Sequence, residues 1–129
     1  RFVERPPRER LALLESHIPR EHVAWMQGLP AALALPRVCF VHAGLRPGIP
    51  FAEQSEDDLL WIRNEFFDAE DDVDTFVVHG HTPSSRPVVT HKRAGIDTAA
   101  FATGMLTALR LSEDGEAQFI YATAAETGT

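Results

Sequence analysis

The sequence is poor in the features that define several protein classes. It has a single cysteine, Cys39, among 129 residues, which excludes an internal disulfide framework and an all-cysteine metal site. The same scarcity favours a cytoplasmic location. No apolar run approaches the ~18 residues that a membrane-spanning helix requires, so we expect no membrane partner. The 8 glycines and 9 prolines follow no period, which excludes a collagen-like chain.

Basic charge is also scarce. Lys and Arg total 12 against 19 Asp and Glu, which gives a net charge of −7. No basic stripe of the kind that follows a nucleic-acid backbone occurs, so we expect no nucleic-acid partner. An acidic chain still binds phosphate groups where arginine or a metal supplies local positive charge. The hydrophobic share of 44% is enough for a folded domain.

Hydrophobic spacing predicts two helices, then strands, a third helix and a run of further strands. The predicted helices are residues 8–16, residues 20–27 and a helix that is capped by Ser55 and runs through residues 59–67. The predicted strands are residues 31–35, 37–42, 75–79, 88–91, 105–111 and 117–121, the last two joined by an Asp114-Gly115 turn. This order predicts an α/β (α+β) chain with a mixed sheet, followed by a frayed tail at residues 122–129.

Two histidines close apolar runs of strand type. His42 ends the run at residues 38–41, while His79 ends the next run and is followed by Gly80 and His81. In open α/β sheets, ligand sites gather beyond the carboxyl ends of strands. Neutral imidazole is a common ligand of divalent transition metals. His42 and His81 are therefore candidate metal ligands, with a half-buried imidazole satisfied by a backbone carbonyl as the alternative.

Arg63 interrupts an apolar helix start. Its guanidinium suits a bidentate phosphate contact, and the alternative is a surface arginine lying over Trp61. Arg46 and Arg93 are weaker candidates for the same role. Asp97, after Gly95-Ile96, could ligate a metal, but a short acidic side chain at a strand end more often satisfies turn amides.

Several apolar and aromatic side chains are expected in the core. Cys39 lies inside an apolar run and should pack as a small hydrophobe. The aromatic residues expected in the core are Trp25, Trp61, Phe66 and Phe67.

Four segments, taken in order, resemble the calcineurin-like metallophosphoesterases, and among them the bacterial and phage serine/threonine protein phosphatases. The resemblance spans about residues 18–111. The segments are residues 40–48 (FVHAGLRPG), Gln54 with residues 59–63 (LLWIR), residues 78–83 (VHGHTP), and residues 96–98 (IDT) with 104–109 (GMLTAL).

This resemblance implies a β-sandwich flanked by helices, with two divalent metal ions at one end. His42 and His81 would each ligate the second metal, and Arg63 would hold the phosphate oxygens. Arg46 is a further candidate for substrate contact, whereas His79 and Asp97 would support the loops. The metals, manganese first with iron or zinc as alternatives, would generate a hydroxide for in-line attack on phosphorus.

The chain also departs from the family. The Asp-x-His, Gly-Asp-x-x-Asp-Arg-Gly and Gly-Asn-His-Glu motifs of the family's N-terminal half do not occur here. We therefore expect residues 1–121 to be the C-terminal part of one metallophosphoesterase domain in a longer protein. Alone, the chain should be inactive or nearly so, with an exposed apolar face through which it could self-associate. A smaller departure is Ala99-Ala100, where the family usually has Gly-Ala.

Three functions follow as expectations. The leading one is a metal-dependent phosphomonoester hydrolase, a serine/threonine protein phosphatase acting on a phosphoprotein or another phosphate ester. Within the same superfamily, the alternative is a symmetrical bis(5'-nucleosyl)-tetraphosphatase. The alternative from another class is a non-catalytic remnant that serves as an interaction domain.

Overall fold

The computed structural model describes residues 2–123, and the chain divides at residue 30 into two compact units. The helices are α1 (Pro7–His17), α2 (Arg20–Gln27), α3 (Glu56–Trp61), α4 (Asn64–Phe67) and α5 (Ala100–Thr103). The strands are β1 (Ala32–Leu35), β2 (Val38–Val41), β3 (Phe76–His79), β4 (Val88–Val89), β5 (Arg93–Gly95), β6 (Met105–Leu111) and β7 (Ala117–Thr123). The predicted α/β class with a mixed sheet is confirmed.

The first unit contains the two predicted helices. Pro6 and Pro19 directly precede α1 and α2. Proline fits the start of a helix, where its missing amide N–H is not needed for an intrahelical bond. Ile18 is extended between the two helices, which the following proline favours. Within residues 2–30, no side chain is buried. No helix of the described chain has the length and apolar character needed to cross a membrane.

The second unit is built on a five-stranded sheet with the order β1-β2-β3-β5-β4. Strands β2, β3 and β5 are parallel, while β1 and β4 pair antiparallel to β2 and β5. The carboxyl ends of β2, β3 and β5 therefore lie at one edge of the sheet. That edge is where open α/β sheets bind ligands.

The hydrophobic core lies on one face of this sheet, under the segment that contains α3 and α4. Phe66 is fully buried there, and Gly44 lies so close that a Cβ at this position would be 2.5 Å from Cδ1 of Phe66. Cys39 packs in the same cluster, as predicted, and burial raises the pKa of its thiol. The cluster comprises Cys39, Val41, Ala43, Leu45, Ile62, Phe66, Val73 and Val77.

The third helix differs from its prediction. Ser55 caps it as expected, since its Oγ accepts a hydrogen bond from the Asp58 amide at 3.1 Å. The helix ends at Trp61, however, and a new one begins at Asn64. Ile62 and Phe66 both pack against Gly44, and this tertiary packing overrides the local helical preference.

Two of the four aromatic residues that were predicted in the core lie there, and two do not. Phe66 is buried and Phe67 packs against the core, as expected. Trp25 and Trp61 are 67% and 66% exposed, so their placement in the core is wrong. Large amphipathic rings are often only partly covered.

The strands after residue 80 show further differences. Strand β6 has its predicted bounds, but β4 is limited to Val88–Val89 because the chain turns back at Thr90 into β5, which was not predicted. The predicted turn joins β6 to β7, and Gly115 has a positive φ of 91° there. Strand β7 continues to Thr123, two residues beyond its predicted end. The rest of the predicted tail, residues 124–129, lies outside the described residues.

The second unit leaves apolar side chains in contact with solvent. Within residues 2–123, β6 and β7 pair only with each other. The large apolar side chains exposed on strands are Leu33, Leu35, Val88, Val89, Leu106, Ile120 and Tyr121. Such strands offer both apolar surface and unpaired backbone groups to another chain. Self-association through them stays a prediction.

Ala99 provides a stability test. It has φ 52° and ψ 49°, the left-handed region that disfavours residues with a Cβ. Replacing it with glycine should raise the free energy of unfolding by about 0.5–1 kcal/mol, because relief of strain exceeds the entropic cost of glycine. Urea unfolding of A99G measures the change. The matched control is A102G inside α5, which should destabilise, and equal losses from both variants would contradict the prediction.

Candidate metal and phosphate site

His42 and His81 meet at the carboxyl edge of the parallel strands. His42 directly follows β2, and its carbonyl accepts a hydrogen bond from the Gly80 amide at 2.9 Å. This bond continues the pairing of β2 with β3 past the strand ends. The Nε2 atom of His42 lies 3.2 Å from Nδ1 of His81. The structure thus brings together the two histidines that the sequence singled out.

A tight turn projects His81 toward His42. The Gly80 carbonyl accepts a hydrogen bond from the Thr82 amide at 2.7 Å, and His81 between them has a φ of 63°. An i→i+2 hydrogen bond around a residue of positive φ is the rarer, strained form of the γ-turn. Strained backbone of this kind persists where the surroundings over-determine it, and it clusters at functional sites.

The surroundings of His81 favour its neutral form. Burial lowers the pKa of the imidazole, and the positive charge of Arg63 and the proximity of His42 act in the same direction. The backbone of Trp61 and the carboxylate of Asp97 oppose the shift. The Trp61 ring meets His81 edge-on, with 5.6 Å between centroids. Neutral imidazole is the form that binds a metal, so the environment suits a ligand.

Arg63 lies in the break between α3 and α4. Its Nη1 donates to Oγ1 of Thr82 at 3.2 Å, and the rest of the side chain is exposed. The break therefore places the Arg63 guanidinium beside the turn that carries His81. Thr82 and Trp61 were not identified as site residues from the sequence. Thr82 belongs to the VHGHTP segment and Trp61 to the LLWIR segment, but neither segment indicates that these residues contact Arg63 and His81.

The two imidazoles lie within hydrogen-bond distance of each other, and the same separation also suits a single divalent transition metal. Two nitrogens bound to one tetrahedral ion at 2.0–2.1 Å lie roughly 3.3 Å apart, which matches the 3.2 Å between His42 Nε2 and His81 Nδ1. Among residues 2–123, no group of three or more His, Cys, Asp or Glu side chains could hold a metal ion. The donor set available in the described chain is therefore two imidazoles, fewer than the three or four protein ligands of most zinc sites.

Asp97 lies beyond the end of β5, at the same edge. Its Oδ1 accepts a hydrogen bond from the Ala99 amide at 2.9 Å, and its carbonyl accepts from the Ser84 amide at 3.0 Å. These are the turn contacts expected of a short acidic side chain. A role of Asp97 in supporting the metal loops stays a prediction.

Arg46 holds a loop to a helix. Its Nε and Nη2 donate to the two carboxylate oxygens of Asp58 at 2.9 and 2.5 Å, and Gln54 bonds both its amide and its carbonyl. The hydrogen bond from Arg46 lowers the pKa of Asp58. In this arrangement the guanidinium is paired with a carboxylate, so the observed contacts are structural. Contact between Arg46 and a substrate stays a prediction.

His79 is buried and lies behind the pair. Its ring packs against both Phe66 and Phe67, with centroids 5.5 and 5.6 Å away. Burial lowers the pKa of His79, and the charge of Arg93 lowers it further. Arg93 is tied to Glu70 at 2.6 Å and lies 4.5 Å over the Phe67 ring. The weaker suggestion that Arg93 binds phosphate therefore conflicts with its contacts, which are all internal.

A short part of the chain is similar to a known protein. A stretch of 40 residues is 48% identical to the asymmetrical bis(5'-nucleosyl)-tetraphosphatase PrpE of Halalkalibacterium halodurans. The match covers 31% of this chain and 16% of that protein, so the chain spans only a small part of its relative. No protein-family profile matches the chain.

The Arg46–Asp58 pair predicts a pH-dependent loss of stability. Because the folded-state pKa of Asp58 is depressed, its contribution is present above the unfolded pKa of about 3.9 and is lost as pH falls through the folded value. D58N should therefore lower the thermal midpoint by a few degrees at pH 7 and by less at pH 3. Calorimetry at the two pH values measures the difference.

The control for D58N is D57N, in the same first turn of α3. Asp57 favours the helix dipole but does not hydrogen-bond Arg46. The D57N variant should therefore lose less stability at pH 7 than D58N. Equal losses from the two variants at pH 7 would show that the ion pair does not stabilise the loop.

Proposed function

We propose that the chain forms part of a metal-dependent phosphoesterase, in which His42 and His81 bind one divalent transition metal and Arg63 binds the phosphate. The observation that carries the proposal is the 3.2 Å approach of His42 Nε2 to His81 Nδ1. The Arg63 side chain is bonded to Thr82, the residue after His81. The similarity to a tetraphosphatase supports a hydrolase of the metallophosphoesterase superfamily and nothing finer.

The chemistry divides between the metal and the chain. A bound divalent metal of this kind supplies Lewis-acid stabilisation of phosphoryl oxygens and a lowered pKa for coordinated water. The chain supplies two neutral imidazoles at a fixed separation and a guanidinium that is always charged. Arg63 would orient the phosphate and stabilise the negative charge that develops on its oxygens. Two imidazoles alone bind metal weakly, so the remaining ligands would come from residues outside this chain.

Two substrate classes compete. The motif resemblance favours a phosphoserine or phosphothreonine residue in a protein. The name of the bacterial relative favours a bis(5'-nucleosyl) tetraphosphate. The site geometry serves both, because each reaction needs the same metal and guanidinium contacts to phosphoryl oxygens. Manganese is our first candidate for the metal, with iron and zinc as alternatives.

The first test is cobalt(II) titration of the 129-residue chain, followed by its absorption spectrum. We expect weak binding that H81A abolishes and R63A leaves in place, because His81 supplies a donor atom to the metal and Arg63 does not. H91A is the matched control, since His91 is an exposed histidine bonded to Asp71 outside the site. Binding that survives H81A would contradict the metal assignment.

The second test measures activity in a form of the protein extended upstream of Arg1. We expect manganese-dependent hydrolysis of p-nitrophenyl phosphate, with losses on the order of a hundredfold in both H81A and R63A. The 129-residue chain should show little or none. Unchanged activity in both variants would overturn the site, and an inactive extended form would favour a non-catalytic interaction domain.

Substrate class follows from the products of that extended form. A phosphoserine peptide would release inorganic phosphate, whereas diadenosine tetraphosphate would yield ATP and AMP if cleaved asymmetrically, or two ADP if cleaved symmetrically. Chromatography separates these outcomes. The larger kcat/KM identifies the preferred class.

A further inference from the structure

The two ring nitrogens of His79 have different partners, and together they define its tautomer. Nε2 lies 3.3 Å from Nη1 of Arg93, and Nδ1 lies 3.0 Å from the Gly80 carbonyl. A guanidinium only donates hydrogen bonds, so Nε2 must accept. Nδ1 therefore carries the proton and donates to the Gly80 carbonyl. Neither bond could be exchanged without leaving a buried polar group unsatisfied.

Arg93, which faces Nε2 of His79, is held by several contacts. Its Nε donates to Glu70 at 2.6 Å, and both side chains are about 15% exposed. Its guanidinium also lies over Phe67. Gly95 leaves room for the imidazole, because a Cβ there would come within 3.1 Å of the His79 ring. The donor that faces His79 is therefore held in place from the other side.

On the Nδ1 side of His79, the contacts lead through Gly80 to the strained turn around His81. The Gly80 carbonyl accepts both from His79 and from the Thr82 amide that closes the turn around His81. The Gly80 amide is bonded to the His42 carbonyl. The peptide unit on either side of Gly80 is thus fixed, and a second donor on its carbonyl stabilises a conformation that His81 would not adopt unaided.

We propose that His79 is a positioning residue for the metal-binding pair: Arg93 and Glu70 hold it as the Nδ1–H tautomer, and its donation to Gly80 fixes the turn that directs His81 at His42. The metal-binding part of this proposal rests on the proposed function. Second-layer contacts of this kind set the orientation of ligating histidines. The tautomer itself is independent of any metal.

The first experiment reads the tautomer in the full chain without metal. Long-range 1H–15N correlation of the histidine rings should show His79 protonated at Nδ1 and unprotonated at Nε2. R93M removes the donor to Nε2 and leaves only the Gly80 carbonyl to favour the Nδ1–H form, so a minor Nε2–H population should appear. A wild-type His79 protonated at Nε2 would overturn the proposal, as would a spectrum that R93M leaves unchanged.

The second experiment measures cobalt(II) affinity in two variants of His79. H79N retains an amide donor near the position of Nδ1, whereas H79L removes every donor. We expect H79L to weaken binding by about tenfold or more, with H79N close to wild type. The unfolding midpoint of each variant is measured in parallel. Equal affinity in all three proteins would overturn the positioning role.

Stability separates this role from a merely structural one. Loss of packing should lower the unfolding midpoint of both variants, whereas loss of positioning should separate their metal affinities. Parallel loss of stability and affinity in H79N and H79L alike would contradict the proposal. A wild-type chain that binds no cobalt would overturn the proposed function instead. The tautomer spectrum would then still test whether Arg93 and Glu70 hold His79 as the Nδ1–H tautomer.

Discussion

The parallel register of β2 on β3 is the constraint on which the site depends. Val41 lies opposite His79, so the residues that leave the two strands, His42 and Gly80, leave side by side. Because neighbouring strands are about 4.8 Å apart, side chains on the two exit loops lie within reach of each other. A shift of one residue would turn His79 out of the core and separate the imidazoles. The hydrogen bond from Gly80 to the His42 carbonyl holds this register at the sheet edge.

The same register requires a polar network inside an apolar layer. His79, Arg93 and Glu70 lie beside Phe66 and Phe67. A buried network of this kind stabilises one arrangement only when each member has a partner, and here the donors and acceptors alternate along the chain of contacts. The aromatic rings cover the His79 end of the network, which is buried, and a low local dielectric strengthens the bonds there. The site is therefore supported from within the core and not only by its loops.

The sequence indicated most of the secondary structure and the two histidines, because apolar runs and strand ends leave a local signal. It did not indicate the break at Ile62, since that break arises from packing against Gly44. Strand β5 is too short for a periodic pattern. The roles of Arg46 and Arg93 also lay beyond sequence reasoning, because their partners are 12 and 23 residues away. An arginine's partner is decided by tertiary structure, so its function could only be suggested.

Gly44 has an evolutionary consequence. The ring of Phe66 occupies the space of a Cβ at position 44, and Ile62 lies 3.0 Å from the same point. A side chain at 44 would push α4 away from the sheet, and with it the aromatic ring that covers His79. A side chain at position 44 would therefore need a smaller residue at position 66 and a shift of Ile62. Among descendants of this sequence, substitutions at positions 44 and 66 should occur together, although 21 residues of chain separate the two positions.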